Sequence, residues 1–230
     1  MKLSVALAAY NGEKYIAEQL RSILDQLGAD DEVVVSDDNP SGGTRDAVMA
    51  LSDARIRYVE GPGQGVIKNF ENAIARTTGD IIFLSDQDDV WLPGKVEAVV
   101  SAMENGAKVV LHNAQVTDEN LVPTGDTMFA LRNSRPGYTK NVIRNSYMGC
   151  CMAFEKSLKD KILPFPDNLP MHDQWIGLIA ERSGDKVQFI ETPYLLYRRN
   201  DASLTGQATT FSQKLSWRRA ILTETRKRCL

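Results

Sequence analysis

The sequence predicts an α/β protein in which a mostly parallel, twisted sheet is flanked by helices. Three observations point there. Strand-like apolar runs alternate with helix-like periodic segments over the first hundred of 230 residues, the pattern of strand, helix, strand crossovers. The first, second and fourth runs end in polar stretches, two of them rich in aspartate, as strands do when their carboxyl ends line a ligand crevice. Hydrophobic residues make up 43% of the chain and charged residues 25%, which supplies a core and excludes a disordered chain.

Leu3 to Ala8 is a short apolar run and reads as the first strand. Glu13 to Leu27 follows as a helix, because Ile16, Leu20, Ile23, Leu24 and Leu27 recur at helical spacing. Val33-Val34-Val35 is a second strand, Arg45 to Leu51 a short helix, Ile56 to Val59 a third strand and Val66 to Ala75 another helix. Ile81-Ile82-Phe83-Leu84 is the fourth strand. Pro93 suits the first turn of a helix running to about Asn105, and Val109-Val110-Leu111 is the fifth strand. From Asn113 to Pro136 the periodicity fades, so this stretch is expected to be a long loop or small subdomain. Order returns at Ser146 to Phe154, then in a helix over Lys156 to Ile162. A bend through Pro164, Pro166 and Pro170 leads to a helix from about Gln174 to Glu181, and Val187 to Ile190 and Tyr194 to Tyr197 read as closing strands. Residues 1–205 are expected to form one domain, with halves at about 1–112 and 113–205, and 206–230 a basic helix or tail.

Composition narrows the function classes. No apolar run reaches the roughly 18 to 20 residues of a spanning helix, and Met1-Lys2-Leu3-Ser4 enters a strand rather than a cleavable leader, so a cytoplasmic location is expected. Cys150, Cys151 and Cys229 make neither a disulfide framework nor a zinc-ligand spacing. Residues 211–230 hold Lys214, Arg218, Arg219, Arg226, Lys227 and Arg228 against Glu224 alone, leaving a net-acidic body. That balance argues against nucleic acid as a partner, which needs a broad basic face. The tail, with Phe211, Leu215, Trp217, Ile221 and Leu222 among its cations, suits peripheral contact with the inner face of an anionic membrane. It equally suits a solvated helix or a dimer contact.

The chemistry should sit at the strand ends. Strand one runs into Ala9-Tyr10-Asn11-Gly12, strand two into Ser36-Asp37-Asp38-Asn39 and strand four into Ser85-Asp86-Gln87-Asp88-Asp89. Carboxylates gathered on one rim repel each other unless a cation or donors neutralise them. Asp86 and Asp88, two apart across a turn, suit Mg2+ or Mn2+, which prefer oxygen donors together with phosphate. A second group, His172-Asp173-Gln174-Trp175, precedes an apolar helix. Asp173 there suits a helix cap, favoured by the dipole, and His172 is an orienting residue rather than a metal ligand. Arg198 and Arg199, after the last strand, can clamp phosphate oxygens.

Taken together these stretches resemble glycosyltransferase family 2, whose members adopt the GT-A-type nucleotide-sugar-binding fold. The resemblance covers about residues 3 to 200. It is carried by Val5 to Gly12 with Tyr15-Ile16, Ser36-Asp37-Asp38, Lys68-Asn69-Phe70 with Gly79-Asp80, and Leu84 to Pro93. Gly149 to Phe154, Leu163 to Pro166, His172-Asp173-x-Trp175 and Tyr197-Arg198-Arg199 resemble the bacterial branch that includes rhamnosyltransferase-like enzymes of surface polysaccharide assembly. The resemblance implies that Ala9, Tyr10, Asn11, Asp37 and Asp38 hold the base of a nucleotide diphosphate, with Lys68, Arg198 and Arg199 also on the donor side. Asp86 would lie near the ribose, Asp88 with Asp86 would serve the metal, and Asp173 would be the general base of an inverting transfer. His172 and Trp175 would face the acceptor, a glycan or lipid-linked glycan; the donor would be a UDP- or dTDP-sugar, dTDP-rhamnose among them. Asn200 stands where related sequences commonly place a histidine, and it is not assigned to the metal.

Three other readings compete. Asp86-Gln87-Asp88-Asp89-Val90 loosely resembles the nucleophile motif of haloacid-dehalogenase-like phosphatases, in which Asp86 would be phosphorylated. Gly61-Pro62-Gly63-Gln64-Gly65-Val66 suggests a dinucleotide-binding oxidoreductase, but Val66 replaces the third glycine of that fingerprint. A non-catalytic nucleotide-sugar binder is the third.

Overall fold

Short apolar strands separated by amphipathic helices fold here into one twisted sheet with a packed layer on each face. The computed structural model describes residues 1–199 and 210–229; Asn200 and the expected boundary at 205/206 lie outside the described residues. The first half follows the expected order: β1 (Leu3–Ala9), α1 (Ile16–Leu24), β2 (Glu32–Asp37), α2 (Thr44–Met49), β3 (Ile56–Glu60), α3 (Val66–Arg76) and β4 (Ile81–Asp86). All three pairings among β1 to β4 are parallel, in the order β3-β2-β1-β4. Along β1, Val5, Leu7 and Ala9 face one core and Ala6 and Ala8 the other, so both faces are buried. That is why the strand reads as a continuous apolar run rather than an alternating one. On α1, Ile16, Leu20 and Ile23 are fully buried, each contributing roughly 1.5–3 kcal/mol by leaving water.

Beyond β4 the sheet becomes mixed. The chain forms β5 (Val90–Trp91), α4 (Lys95–Glu104), β6 (Val109–Thr117), β7 (Pro123–Thr127), α5 (Met128–Arg132), α6 (Tyr138–Ile143) and β8 (Met152–Glu155). It continues through α7 (Lys159–Ile162), α8 (His172–Arg182), β9 (Val187–Arg198) and α9 (Phe211–Arg228). The sheet order is β3-β2-β1-β4-β8-β6-β9-β5, with β7 added to β6; β8 is antiparallel to both neighbours, while β6 and β9 are parallel.

Two expectations for the second half change. The stretch from Asn113 is not a loop at its start: β6 continues to Thr117 and returns as β7. Its polar residues disguise it, yet they are buried with partners; Asn113 Oδ1 accepts from the Phe129 N–H at 3.0 Å and its Nδ2 donates to the Glu191 carbonyl at 3.1 Å. The two closing strands are one strand of 12 residues, β9. Pro193 sits inside it where the pairing with β6 shifts register, between His112 and Gln115. A proline lacks the ladder N–H, so such an irregularity is where a strand tolerates it. Among the described residues no helix is long and apolar enough to cross a membrane.

Helix α8 is buried on all sides: every residue from His172 to Ala180 is buried. It lies against α6, α7 and α9 as well as the sheet, so its polar first turn enters the interior along with its apolar body.

Candidate active site

Because β1, β2 and β4 run parallel, their carboxyl ends reach the same edge of the sheet. Ala9 pairs with Asp37 and Ala8 with Asp86, and adjacent strands lie about 4.8 Å apart. Strand order reverses at β1, where β2 lies on one side and β4 on the other, and such a switch point is where open α/β sheets hold ligands.

The β1 end is fixed by its neighbours. Gln87 clasps it with both halves of its amide, accepting from the Tyr10 N–H at 2.8 Å and donating to the Tyr10 carbonyl at 2.9 Å. Gly12 is needed beneath that clasp, since a Cβ there would lie 2.2 Å from Gln87 Oε1. Asn11, with φ of 50°, accepts from Asn39 Nδ2 at 2.7 Å. Tyr10 itself is 59% exposed. Asn69, buried on α3, donates to the Ala9 and Ser36 carbonyls, both at 2.9 Å, and so ties β1 to β2.

The two adjacent aspartates of β2 do different work. Asp37 is fully buried; its oxygens accept from the Asn39 N–H at 3.1 Å and the Tyr58 hydroxyl at 2.8 Å. It braces the turn and presents nothing to a nucleotide, which corrects the expectation that it touches the base. Asp38 accepts from the N–H groups of Gly63 at 2.8 Å and Gly65 at 2.7 Å, and a carboxylate keeps further lone pairs for a ligand donor. The Gly61 to Val66 loop therefore spends its amides on Asp38, which removes the pyrophosphate cradle that the dinucleotide reading requires.

At the end of β4 the electrostatics are severe. The Asp86 carboxyl is pushed up to about 7, first by burial and then by the charges of Asp88, Asp173 and Cys151, with Lys95 pulling the other way. Asp89, 1% exposed, is driven well above the usual carboxylate range by burial with Asp88 and Asp86 beside it. Beneath them the fully buried Lys95 donates to the Cys150 carbonyl at 3.0 Å and sits 3.8 Å from the Trp91 ring centroid. Burial lowers it to about 8.

Can these residues accept a divalent cation? One ligand atom each from Asp86, Asp89 and Cys150 lie within 4.8 Å of one another, and Asp89 Oδ2 is buried without a hydrogen-bond partner. Asp86 is the partly exposed member and Asp89 and Cys150 the buried floor, and Asp88, outside this group but on the same turn, is partly exposed as well. Carboxylate oxygens at the open side suit Mg2+ or Mn2+, so the donor set fits.

Asp173 arrives from the other half of the chain. It opens α8, 3% exposed, and its Oδ1 accepts from the Gln174 N–H at 2.5 Å and from Asn145 Nδ2 at 3.3 Å. Its charge bears on Asp86, so the first turn of α8 lies near the acids of β4.

Other expected site residues lie elsewhere. Lys68 pairs with Glu71 at 2.9 Å and Asp167 at 3.0 Å and donates to the Phe165 carbonyl, pinning the proline-rich bend to α3. Arg198 is not a phosphate clamp. It is 5% exposed and lies over the Tyr15 ring at 4.5 Å, with its guanidinium donating to the Asp88 carbonyl at 2.7 Å, to Glu18 at 2.5 Å and to the Glu119 carbonyl. Its own N–H donates to Asp89 Oδ1 at 3.1 Å, so Arg198 is the strut that holds the acidic turn against α1. Arg199 is exposed, its N–H donating to Thr117.

Neither acceptor assignment matches the burial. His172 is 5% exposed and stacks on Phe70 with ring centroids 4.1 Å apart, both ring nitrogens enclosed; burial holds its pKa below the ordinary value. Trp175 is fully buried and donates to the Ile162 carbonyl at 2.9 Å. Both support the wall behind Asp173. Trp175→Phe is expected to cost about 1–3 kcal/mol of stability, through the orphaned carbonyl and the space left behind, with the acceptor KM unchanged. Thermal melts alongside acceptor titrations check this.

Sequence reasoning quoted Gln87, Asp89 and Asn69 without giving them a role and passed over Lys95 and Asn145. For two of these the signal was present: Lys95 occupies the stripe of Val99 and Ala102, and Asn69 that of Phe70, Ala73 and Ile74. A polar residue on an apolar stripe is buried for a reason.

Comparison with known proteins defines the class. The family model of glycosyl transferase family 2 matches residues 4–163, and the chain belongs to that family. The chain is 30% identical over 214 residues to the GalNAc(5)-diNAcBac-PP-undecaprenol beta-1,3-glucosyltransferase of Campylobacter jejuni, covering 89% of this chain and 68% of the relative. It is 24% identical to the dTDP-rhamnosyl transferase RfbG of Shigella flexneri, covering 90% of this chain and 76% of the relative. Against curated glycosyltransferases from Nostoc and Escherichia coli it spans only 38% and 48% of their length. Among solved structures, S. aureus TarS in complex with UDP-GlcNAc superimposes with a TM-score of 0.73 at 18% identity, covering 97% of this chain and 66% of that one. Glucosyl-3-phosphoglycerate synthase from Mycobacterium tuberculosis, in complex with Mn2+, UDP and phosphoglyceric acid, gives 0.63 at 20% identity, covering 99% and 78%. The fold is thus GT-A-type. Family membership also displaces the phosphatase reading of Asp86.

Proposed function

We propose that this glycosyltransferase is metal-dependent and inverting, and moves a sugar from a UDP- or dTDP-sugar to a hydroxyl of a glycan or lipid-linked glycan in surface polysaccharide biosynthesis. The observation that carries the reading is the group of Asp86, Asp89 and Cys150, whose ligand atoms lie within 4.8 Å of one another with Asp89 Oδ2 unpartnered, while Asp173 bears on Asp86 from the far half of the chain. Crowded carboxylates repel each other, and a bound cation would relieve the part of that cost that Lys95 does not.

In this reading the half up to about residue 112 takes the donor. Tyr10, Asn11 and Asp38 border the base, with Ala9 as the strand end beneath them. Asp86 lies toward the ribose, and Asp88, with Asp86, holds the cation. A bound Mg2+ or Mn2+ would stabilise negative charge developing on the departing diphosphate. The half from about 113 takes the acceptor. There Asp173 accepts the proton of the acceptor hydroxyl as its oxygen bonds to the anomeric carbon. The bond from that carbon to the diphosphate oxygen breaks in the same displacement, and its electron pair leaves with the nucleoside diphosphate. One displacement with no covalent sugar-enzyme intermediate inverts the anomeric centre. The held Oδ1 of Asp173 fixes the carboxylate while its second oxygen does the work.

The names of the Campylobacter and Shigella relatives support a lipid-linked acceptor and a dTDP-sugar donor respectively. Thermal stabilisation by UDP, dTDP, GDP and their sugars, with and without Mn2+, tests the proposal. Metal-dependent stabilisation by UDP or dTDP compounds is expected. A flat response to every nucleotide overturns it.

A further inference from the structure

Among the described residues, helix α9 is held to the body from Arg218 onward. Ile221 and Thr225 are buried, Thr225 Oγ1 lies 2.8 Å from the Tyr138 hydroxyl of α6, and Arg228 donates to the Leu163 and Pro164 carbonyls at 2.7 and 2.6 Å. The turns before Arg218 stand clear of the body: every residue from Ser212 to Trp217 is exposed, Leu215 at 47% and Trp217 at 38%. Where the helix meets the body, Arg218 donates twice to the Ile143 carbonyl, at 3.2 and 2.8 Å, and the Ile143 side chain is 57% exposed.

Apolar and basic residues are interleaved along the end of α6 and the first half of α9, with Arg144, Lys214 and Arg219 exposed, Arg218 partly buried and Lys140 turned inward to donate to Ser146. Segments 138–145 and 211–223 contain Lys140, Arg144, Lys214, Arg218 and Arg219 and no Asp or Glu. The surface also adjoins the reaction centre: Asn145, which donates to Asp173, is two residues from Ile143, roughly 7 Å of extended chain at most.

We propose that this surface, made by the end of α6 and the first half of α9, docks on an anionic lipid bilayer and brings the acceptor side of the crevice to the headgroups. Charge selects an anionic partner, because a second copy would set cations against cations. Ile143, Leu215 and Trp217 select a bilayer over a nucleic acid: an indole and branched apolar chains among Lys and Arg match the headgroup and acyl boundary. The inference rests on the reading of the acceptor as lipid-linked, but its test uses neither donor nor acceptor, so the two can fail separately.

The test mixes the chain with vesicles of phosphatidylcholine alone or with 30% phosphatidylglycerol. Of the three tryptophans, Trp91 and Trp175 are 2% and 0% exposed, so a change in emission reports Trp217. Anionic vesicles are expected to shift the emission to the blue and to co-sediment the protein, reversibly with salt, while neutral vesicles do neither. Trp217→Phe should abolish the shift and keep most of the binding. Lys214→Glu with Arg219→Glu, both at exposed positions, should weaken binding at least 25-fold, since each cation near an anionic surface contributes about fivefold. No shift on anionic vesicles, equal binding to neutral ones, or full binding by the doubly reversed variant overturns the proposal. So does concentration-dependent self-association lost in that variant without vesicle binding, which would make a second copy the occupant.

Discussion

Asp173→Asn is expected to lower sugar transfer by about 100- to 10,000-fold, the usual range for loss of a general base, while leaving metal-dependent binding of the donor intact. Asparagine matches aspartate in shape and can still accept from the Gln174 N–H, so the first turn of α8 keeps its geometry. What it loses is a basic oxygen. Removing an acid from a helix N-terminus costs only about 0.3–1 kcal/mol of stability, too little to explain the loss of rate. Steady-state kinetics with a thermal melt separate the two effects, and normal transfer by the variant would remove Asp173 from the chemistry.

Asp88→Asn is expected to act on the opposite partner. The wild-type chain at donor concentrations about 100 times Kd should gain about 2.7 kcal/mol from the ligand, and the part of that gain that requires Mn2+ should disappear in the variant. Without metal the sign reverses. Asp88 is the largest charge acting to raise the Asp86 carboxyl after burial itself, so neutralising it relieves repulsion and the metal-free protein should melt slightly higher. A merely structural Asp88 would give a lower melting temperature with and without metal. The paired melts therefore distinguish a ligand from a brace.

Much of the frame was legible because β1, β2 and β4 are buried on both faces, and a run such as Leu3 to Ala8 has no other plausible use. The second half was harder for a specific reason. His112, Asn113 and Gln115 interrupt the apolar pattern of β6, and Pro193 interrupts β9, yet Asn113 is satisfied by partners distant in sequence and the pairing slips locally at Pro193. Period counting sees only neighbours along the chain. The site divides along the same line. Strand ends that carry acids announce themselves, because strand direction alone puts Asp38, Asp86 and Asp88 on one rim. The destinations of long side chains do not. Arg198, read as a phosphate clamp, reaches back 110 residues to the Asp88 carbonyl and 180 to Glu18. Trp175, read as an acceptor wall, is closed off because α8 is covered on every side. Aspartates one position apart can also part company, as Asp37 and Asp38 do, since alternation along β2 buries one and leaves the other at the turn.

The central claim is that a cation and an activated sugar occupy the crevice between the acids of β4 and the first turn of α8. Crystals grown with Mn2+ and UDP or dTDP, measured at an energy where manganese scatters anomalously, locate the ion directly. The account expects one strong peak within about 2.5 Å of an Asp88 oxygen, with the diphosphate on its open side and the Asp173 carboxylate facing the same cavity. A peak held away from Asp86 and Asp88, or a nucleotide bound where Asp173 cannot face the sugar position, would contradict it.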